Sequence, residues 1–396
     1  MVGYVACCKK QISVKRSLKK ISHKHANNRR IKVGYIVQMP EIWDKEAPVF
    51  ETMMEDIRFD PYLLVVPAYD LAHSRIGGYG VELDFFIDKY GKDRIIRLFT
   101  GQWADLQFME FDYVFYQRCW EMYLPRVYQT DQVLKYAKTC YIPYCFHCLI
   151  DEEKYYQSSF FQNLYLFFCC SEQQMMQQKP KKYGKNIYNG YPVLGTVLAE
   201  NKTDHKTILW TPRWTDDKET GGSTFYKYWQ LIPEIKKHFE TAELILRPHP
   251  LLFQNAVKTN QLSREMIDQY NTELNRLGIK YDKNALIENT FSATDILISD
   301  FSSVLVPFFT TGKPLIYCSD TNVAYSDIMK EIINCSYIAK DWNDILTYLH
   351  SLMNGLDPLK DRRESLAKRL YEENRHSVER ILNTIFEDAN NLNGGE

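Results

Sequence analysis

With 396 residues the chain is too long for one typical core, and two α/β domains are the natural expectation. Its 45% hydrophobic and 25% charged residues and net charge of −1 are ordinary for a soluble globular protein and exclude the basic excess behind nonspecific nucleic-acid binding. No apolar run approaches the ~18 residues of a membrane-spanning helix.

Residues 1–30 read as a basic arm. Lys9, Lys10, Lys15, Arg16, Lys19, Lys20, Lys24, Arg29 and Arg30 have almost no acidic counterweight, and Ile12, Val14, Leu18 and Ile21 give a partial apolar face. Attraction to an anionic membrane surface, at roughly 1 kcal/mol per basic residue near the lipid, and a solvated arm both fit this composition. The opening Val2 to Cys8 is too short and weakly apolar for a signal peptide, so ten irregularly spaced cysteines point to a reducing cytosol.

A first domain is expected over 31–190. Strands are predicted at 31–37, 62–67, 112–116, 139–143 and 164–168, with helices at 48–58, 81–90 and 131–138 between them; such alternation gives βαβ units and a parallel sheet. No GxGxxG follows the first strand, which argues against a dinucleotide oxidoreductase. Gly77-Gly78-Tyr79-Gly80 follows no strand and reads as a loop. His147 lies just beyond the strand at 139–143, where one free imidazole with a pKa near ~6.5 suits a general base. A loop histidine packed between Tyr144 and Phe146 is the competing reading. Cys140, Cys145, His147, Cys148, Cys169 and Cys170 contain one CxxC, but the second pair is adjacent and poorly placed to give two ligands to one tetrahedral ion, so no metal is expected there.

The polar stretch 180–206 has the composition of a linker, and the second domain is expected over 191–386. Its first strand, 207–210, runs into Thr211-Pro212-Arg213-Trp214-Thr215, placing Arg213 at a strand end, where it meets a diphosphate or pairs with Asp216 or Asp217. A helix at 224–239 precedes the buried strand Leu244-Ile245-Leu246 and the cluster Arg247-Pro248-His249-Pro250, whose prolines fix the backbone around His249. After a helix at 263–277 and a strand or loop at 285–289 comes a second buried strand, Ile296-Leu297-Ile298, followed by Ser299-Asp300-Phe301-Ser302-Ser303 and a helix starting near Ser303. Open α/β sheets bind ligands beyond the carboxyl ends of their strands. An Arg-His cluster beside a Ser-Ser cluster there suits a negatively charged, diphosphate-bearing ligand, with Ser302 and Ser303 offering hydroxyls and helix N-terminal N–H groups. Asp300 orients that turn, contacts the ligand or caps the helix. The stretch 358–386 is helical, with Val378, Ile381, Leu382, Ile385 and Phe386 forming an apolar stripe, and 387–396 is a polar tail.

RPHP at 247–250, SDFSS at 299–303 and GKPLIYC at 312–318, in that order, resemble the C-terminal half of the CDP-glycerol glycerophosphotransferases, the teichoic acid and capsule polyol-phosphate transferases. The TPRWT loop is similar to the family's PTWR-type loop with its order permuted. His147 corresponds to the histidine of the family's N-terminal domain, in a YCFHCL context here rather than a WHGTPLK-type one. The resemblance covers roughly 31–386 and implies a GT-B-like architecture. That means an α/β protein of two Rossmann-like domains with parallel sheets facing across a cleft, the nucleotide on the second, and a C-terminal helix crossing back to the first.

It also implies a transferase moving glycerol phosphate or a similar polyol phosphate from a CDP-linked donor to a hydroxyl of a cell-surface polymer, glycan or glycolipid acceptor. CMP would leave, with the enzyme peripheral at the cytoplasmic face of the membrane. In that reading His147 takes the acceptor proton, His249 stabilises phosphate charge, and Arg213, Arg247, Asp300, Ser302 and Ser303 hold the donor. No cofactor and no metal is implied, because no DxD-type carboxylate pair stands at a strand end of the second domain. A GT-B glycosyltransferase using a nucleotide sugar and a catalytically idle acceptor-binding subunit would share these features, since fold does not decide chemistry.

Overall fold

The computed structural model describes Val14, 29–70, 72–73, 75–150, 153–196, 205–282, 284, 286–318 and 321–390. Nearly all of the basic arm, residues 197–204 of the expected linker and the tail from 391 lie outside the described residues. The chain divides into two compact units: Met1–Cys145 with Glu152–Gly195 and Asn374–Glu396, and Phe146–Asp151 with Thr196–Glu373. Both the short segment around His147 and the last helix therefore leave the unit that their place in the chain suggests.

In the first unit the strands are β1 (Ile31–Val37), β2 (Phe59–Val65), the two-residue hairpin β3 (Tyr69–Asp70) and β4 (Arg75–Ile76), β5 (Ile95–Arg97), β6 (Tyr113–Tyr116), β7 (Lys138–Tyr141), β8 (Leu166–Phe168) and β9 (Lys185–Ile187). Apart from the hairpin they form one parallel sheet in the order β5-β2-β1-β6-β7-β8-β9. The order reverses between β1 and β6, as in a Rossmann sheet. β9 falls inside the stretch expected to be linker. It is a short edge strand with one apolar residue, too little for a hydrophobic pattern to register. The helix expected at 131–138 is cut to Thr130–Val133, and Lys138 opens β7 instead. The aromatic wealth of this half is largely core: Tyr35 stacks on Phe115 at 4.7 Å, and Phe115 on Phe168 at 6.1 Å. Between them buried Cys140 is a small filler on β7, and burial pushes its thiol well above the usual range, away from thiolate chemistry.

In the second unit β10 (Thr207–Thr211), β11 (Glu243–Leu246), β12 (Lys280–Tyr281), β13 (Ile296–Ser299), β14 (Leu315–Tyr317) and β15 (Tyr337–Ile338) form a parallel sheet ordered β12-β11-β10-β13-β14-β15. Ranked by chain position this is 3-2-1-4-5-6, the Rossmann order, with its switch point between β10 and β13. Two expectations are corrected. The helix at 224–239 is two helices, Phe225–Tyr228 and Ile232–His238, because Pro233 begins a new first turn. The strand or loop at 285–289 gives way to the helix Ile287–Ala293, since Ile287 and Phe291, four apart, bury one helical face.

The helical stretch at 358–386 is likewise two helices, Lys360–Asn374 and Ser377–Asn390, and the second belongs to the first unit. Ile381, Leu382, Ile385 and Ala389 are its buried face, whereas Phe386 is exposed and carries the Arg58 guanidinium 4.9 Å over its ring. Asp388 accepts hydrogen bonds from Tyr113 (2.6 Å) and Tyr165 (3.0 Å) and pairs with the buried Lys138 ammonium at 2.6 Å.

Candidate active site

β10 is flanked by β11 and β13, so the loops leaving the carboxyl ends of these three strands are neighbours. Those loops are Pro212-Arg213-Trp214, Arg247-Pro248-His249-Pro250 and Asp300-Phe301-Ser302-Ser303. Backbone and side-chain bonds sew them together. The His249 N–H donates to the Pro212 carbonyl (3.1 Å), the Arg213 N–H to the Asp300 carboxylate (2.9 Å), and the Thr211 hydroxyl to Ser299 (2.7 Å). The sequence-predicted donor residues of the second unit are thus brought to one edge of one sheet, but with different roles.

His249 is the most available of them. Its Nδ1 accepts the Leu251 backbone N–H at 3.2 Å, which leaves the ring proton of the neutral form on Nε2. Nε2 has no hydrogen-bond partner among the described residues, and the side chain keeps solvent-facing surface. The crowding of the surrounding loops and then the Arg213 charge push its pKa down to about 4. At neutral pH His249 is therefore an uncharged N–H donor aimed outward, suited to a phosphate oxygen.

Ser302 and Ser303 are half-buried in the turn that leads into the helix Leu305–Phe309. The Ser302 hydroxyl accepts weakly from the Val304 N–H (3.4 Å), while that of Ser303 has no partner among the described residues. The helix starts two residues later than expected and is short, so the hydroxyls and the turn, rather than a long helix dipole, carry any phosphate contact.

Arg213 lies half-buried 5.1 Å under the Phe301 ring and donates to the Phe301 carbonyl at 3.2 Å. Gly221, at φ +118°, leaves the space this stack needs, because a Cβ there would collide with Phe301 and crowd the guanidinium. Asp217 is among the charges that bear on Arg213. Burial lowers its pKa somewhat, with the nearby Asp300 opposing.

Two expectations about donor contacts are corrected. Asp300 is fully buried, and its carboxylate accepts from the Arg213 and Thr224 N–H groups (2.9 and 3.0 Å) and from the Ser223 and Thr224 hydroxyls. With both oxygens committed it is a bracket beneath the site, which fits the turn-orienting alternative and not the ligand contact. Burial raises its pKa, and these donors oppose the rise. Arg247 pairs with Asp282, which is itself held by Asn284 and Thr290, and it donates to the Asn284 carbonyl at 2.9 Å. Its charge is largely offset within the chain. Ser223 and Thr224 went unremarked in the sequence; the GGST run immediately before a helix was the available signal.

His147 is corrected in position. It is not a strand-end residue of the first sheet: the segment Phe146–Asp151 belongs to the second unit, where Leu149 bridges Tyr325 and the Ser326 N–H donates to the Cys148 carbonyl at 2.8 Å. The imidazole is 2% exposed. Cys148 lies close enough to Arg213 and to Tyr325 to influence both, so this excursion runs beside the same loops. Among the described residues no group of three His, Cys, Asp or Glu side chains could hold a metal ion, and no helix is long and apolar enough to cross a membrane.

Residues 197–387 match the family CDP-glycerol:poly(glycerophosphate) glycerophosphotransferase. No curated protein matches the chain by sequence. Among solved structures, a UDP-N-acetylglucosamine 2-epimerase is similar with a TM-score of 0.58 at 14% identity, over 91% of this chain and 96% of that one. The UDP-GlcNAc 2-epimerase from Neisseria meningitidis bound to UDP-GlcNAc gives 0.58 at 12% identity, over 90% and 100%. The wall teichoic acid polymerase TagF, soaked with CDPG, gives 0.52 at 11% identity, over 97% and 98%. At these identities the structural likeness is one of fold, the GT-B-like pair of α/β units.

Proposed function

We propose that this CDP-glycerol glycerophosphotransferase-like enzyme moves a polyol phosphate, such as glycerol phosphate, from its CDP-linked donor to a hydroxyl of a cell-surface polymer or glycolipid. The acceptor oxygen attacks the polyol-bearing phosphorus, a new P–O bond forms, the P–O bond to the bridging oxygen breaks, and CMP leaves with that oxygen. Such chemistry needs alignment and charge stabilisation more than covalent help. The observation that carries the reading is His249: a neutral Nε2–H with no hydrogen-bond partner among the described residues, on a strand-end loop of the same sheet edge as the loop that carries Ser303. That donor stabilises charge growing on the transferred or departing phosphate. Ser302, Ser303 and Arg213 hold the diphosphate, while Asp300 and Arg247 fix the loops that carry them.

His147 is assigned as the base for the acceptor proton. Its burial means that the 146–150 segment must part from 324–326 for the ring to reach an acceptor, and the Ile150 and Ser326 backbone bonds are the ones that would open. The basic arm holds the enzyme at the anionic inner face of the membrane.

The test is nucleotide release from a donor panel. CMP from CDP-glycerol, dependent on His249 and cut ~10²–10⁴-fold in His147→Ala, supports the proposal. UDP released from a sugar donor would replace it with a glycosyltransferase, since fold does not decide chemistry. No nucleotide from any donor would leave an idle acceptor-binding subunit.

A further inference from the structure

The first unit has its own switch point, between β1 and β6, and a cation stands there that the transfer chemistry above does not use. Arg118 follows β6 by two residues. One terminal nitrogen donates to the Gln38 side-chain oxygen just after β1 (2.6 Å), and the other reaches only the Met39 sulfur (3.4 Å), a weak acceptor. Its Nε is buried with no hydrogen bond. No carboxylate pairs with it among the described residues; the groups that bear on its charge are Tyr123, Tyr144 and Cys119, and burial lowers its pKa. A half-buried guanidinium with its Nε buried and donors to spare, and no carboxylate beside it among the described residues, is costly unless an anion completes it.

The surroundings hold the group rigidly. The buried Gln117 side chain accepts the Gln38 and Met39 N–H groups, both at 2.9 Å, and donates to the Met39 carbonyl, clamping the two loops together. Gln38 also donates to the Tyr123 carbonyl at 3.1 Å. The guanidinium lies 4.2 Å from the Tyr123 ring centroid, a cation–π contact that positions it without neutralising its charge. Beside it Trp120 and Tyr123 are 39% and 43% exposed. Exposed aromatic faces next to a half-buried cation suit a chain that carries both phosphate and polyol or sugar.

We propose that Arg118, with Gln38, Trp120 and Tyr123, is a phosphate-recognition site of the first unit, taking a phosphate ester along a polyol or glycan chain. That the chain is the acceptor of the transfer rests on the proposed function; the site itself does not.

The experiment is calorimetric titration of the full chain with a short poly(glycerol phosphate), glycerol 3-phosphate, inorganic phosphate and glycerol, with CMP release from CDP-glycerol measured alongside. The poly(glycerol phosphate) should bind and glycerol should not. Arg118→Gln should weaken binding at least tenfold, and Arg118→Lys, keeping charge but losing the stacked fork, should retain part. Thermal melts establish that each variant folds; if Arg118→Gln does not, Arg118→Lys and Tyr123→Ala carry the test. Wild-type affinity in the folded Arg118 variants, or inorganic phosphate binding as tightly as the chain, overturns the proposal. Arg118-dependent binding without CMP release leaves this site standing and removes the transferase reading.

Discussion

At the scale of single residues, the neutral His249 makes a measurable claim. Its folded pKa of about 4 lies below the ~6.5 of an unfolded histidine, so as pH falls the unfolded chain takes up the proton first. The residue therefore subtracts stability progressively from about pH 6.5 down to about 4 and is indifferent to pH above that window. Imidazole resonances followed by NMR should show His249 titrating well below the ~6.5 of an unfolded histidine in the free protein, with an upward move when the diphosphate binds; an ordinary midpoint in the free protein would refute its assignment as a neutral donor. Asp300 should behave as a bracket. Asp300→Ala strands several buried donors and should lower the unfolding free energy by ~3 kcal/mol in urea melts, and Asp300→Asn should fare little better, because an amide nitrogen would face N–H and O–H donors. Ser302→Ala with Ser303→Ala should leave the melt unchanged and weaken donor binding by ~1–3 kcal/mol in calorimetry.

Among the elements, the last helix shows how a polar group can decide where a segment docks. Its apolar stripe is legible from Ile381, Leu382 and Ile385, but a stripe states only that something covers it. Lys138, 2% exposed in β7, supplies the address: its ammonium requires Asp388. Asp388→Ala should cost ~3–5 kcal/mol in denaturant unfolding, because the charge is left buried alone, whereas joining it to Lys138→Met should recover most of that loss. A double variant as unstable as the single one would show that the pair is not what holds the helix. The segment Phe146–Asp151 is the converse case. Its described residues, 146–150, carry no regular element; a bridge from Leu149 to Tyr325 and the backbone bonds of Cys148 and Ile150 to 324–326 are among the contacts that tie it to the other unit.

For the molecule as a whole, the near-neutral total hides the basic segment 1–30, and surface attraction through such a segment is screened over about ~10 Å at 0.1 M salt. Deleting 1–30 should reduce sedimentation with anionic vesicles at low salt and leave thermal unfolding of the remainder as it was. Equal vesicle binding by the two forms would remove the arm from membrane attachment.

Two parallel α/β sheets, the strand ends bearing RPHP and SDFSS, and the apolar stripe of the last helix were all legible from local patterning. Short apolar runs bounded by polar clusters have few other ways to be buried. The division of labour among the site residues was not legible. A carboxylate beside Ser302 and Ser303 reads as a ligand contact until Ser223 and Thr224, over seventy positions away in the chain, occupy it. Likewise Arg247 reads as a phosphate clamp until Asp282 neutralises it. Which charges are spent inside the protein and which are left for a ligand depends on partners distant in sequence, and only tertiary packing brings those partners within hydrogen-bonding range.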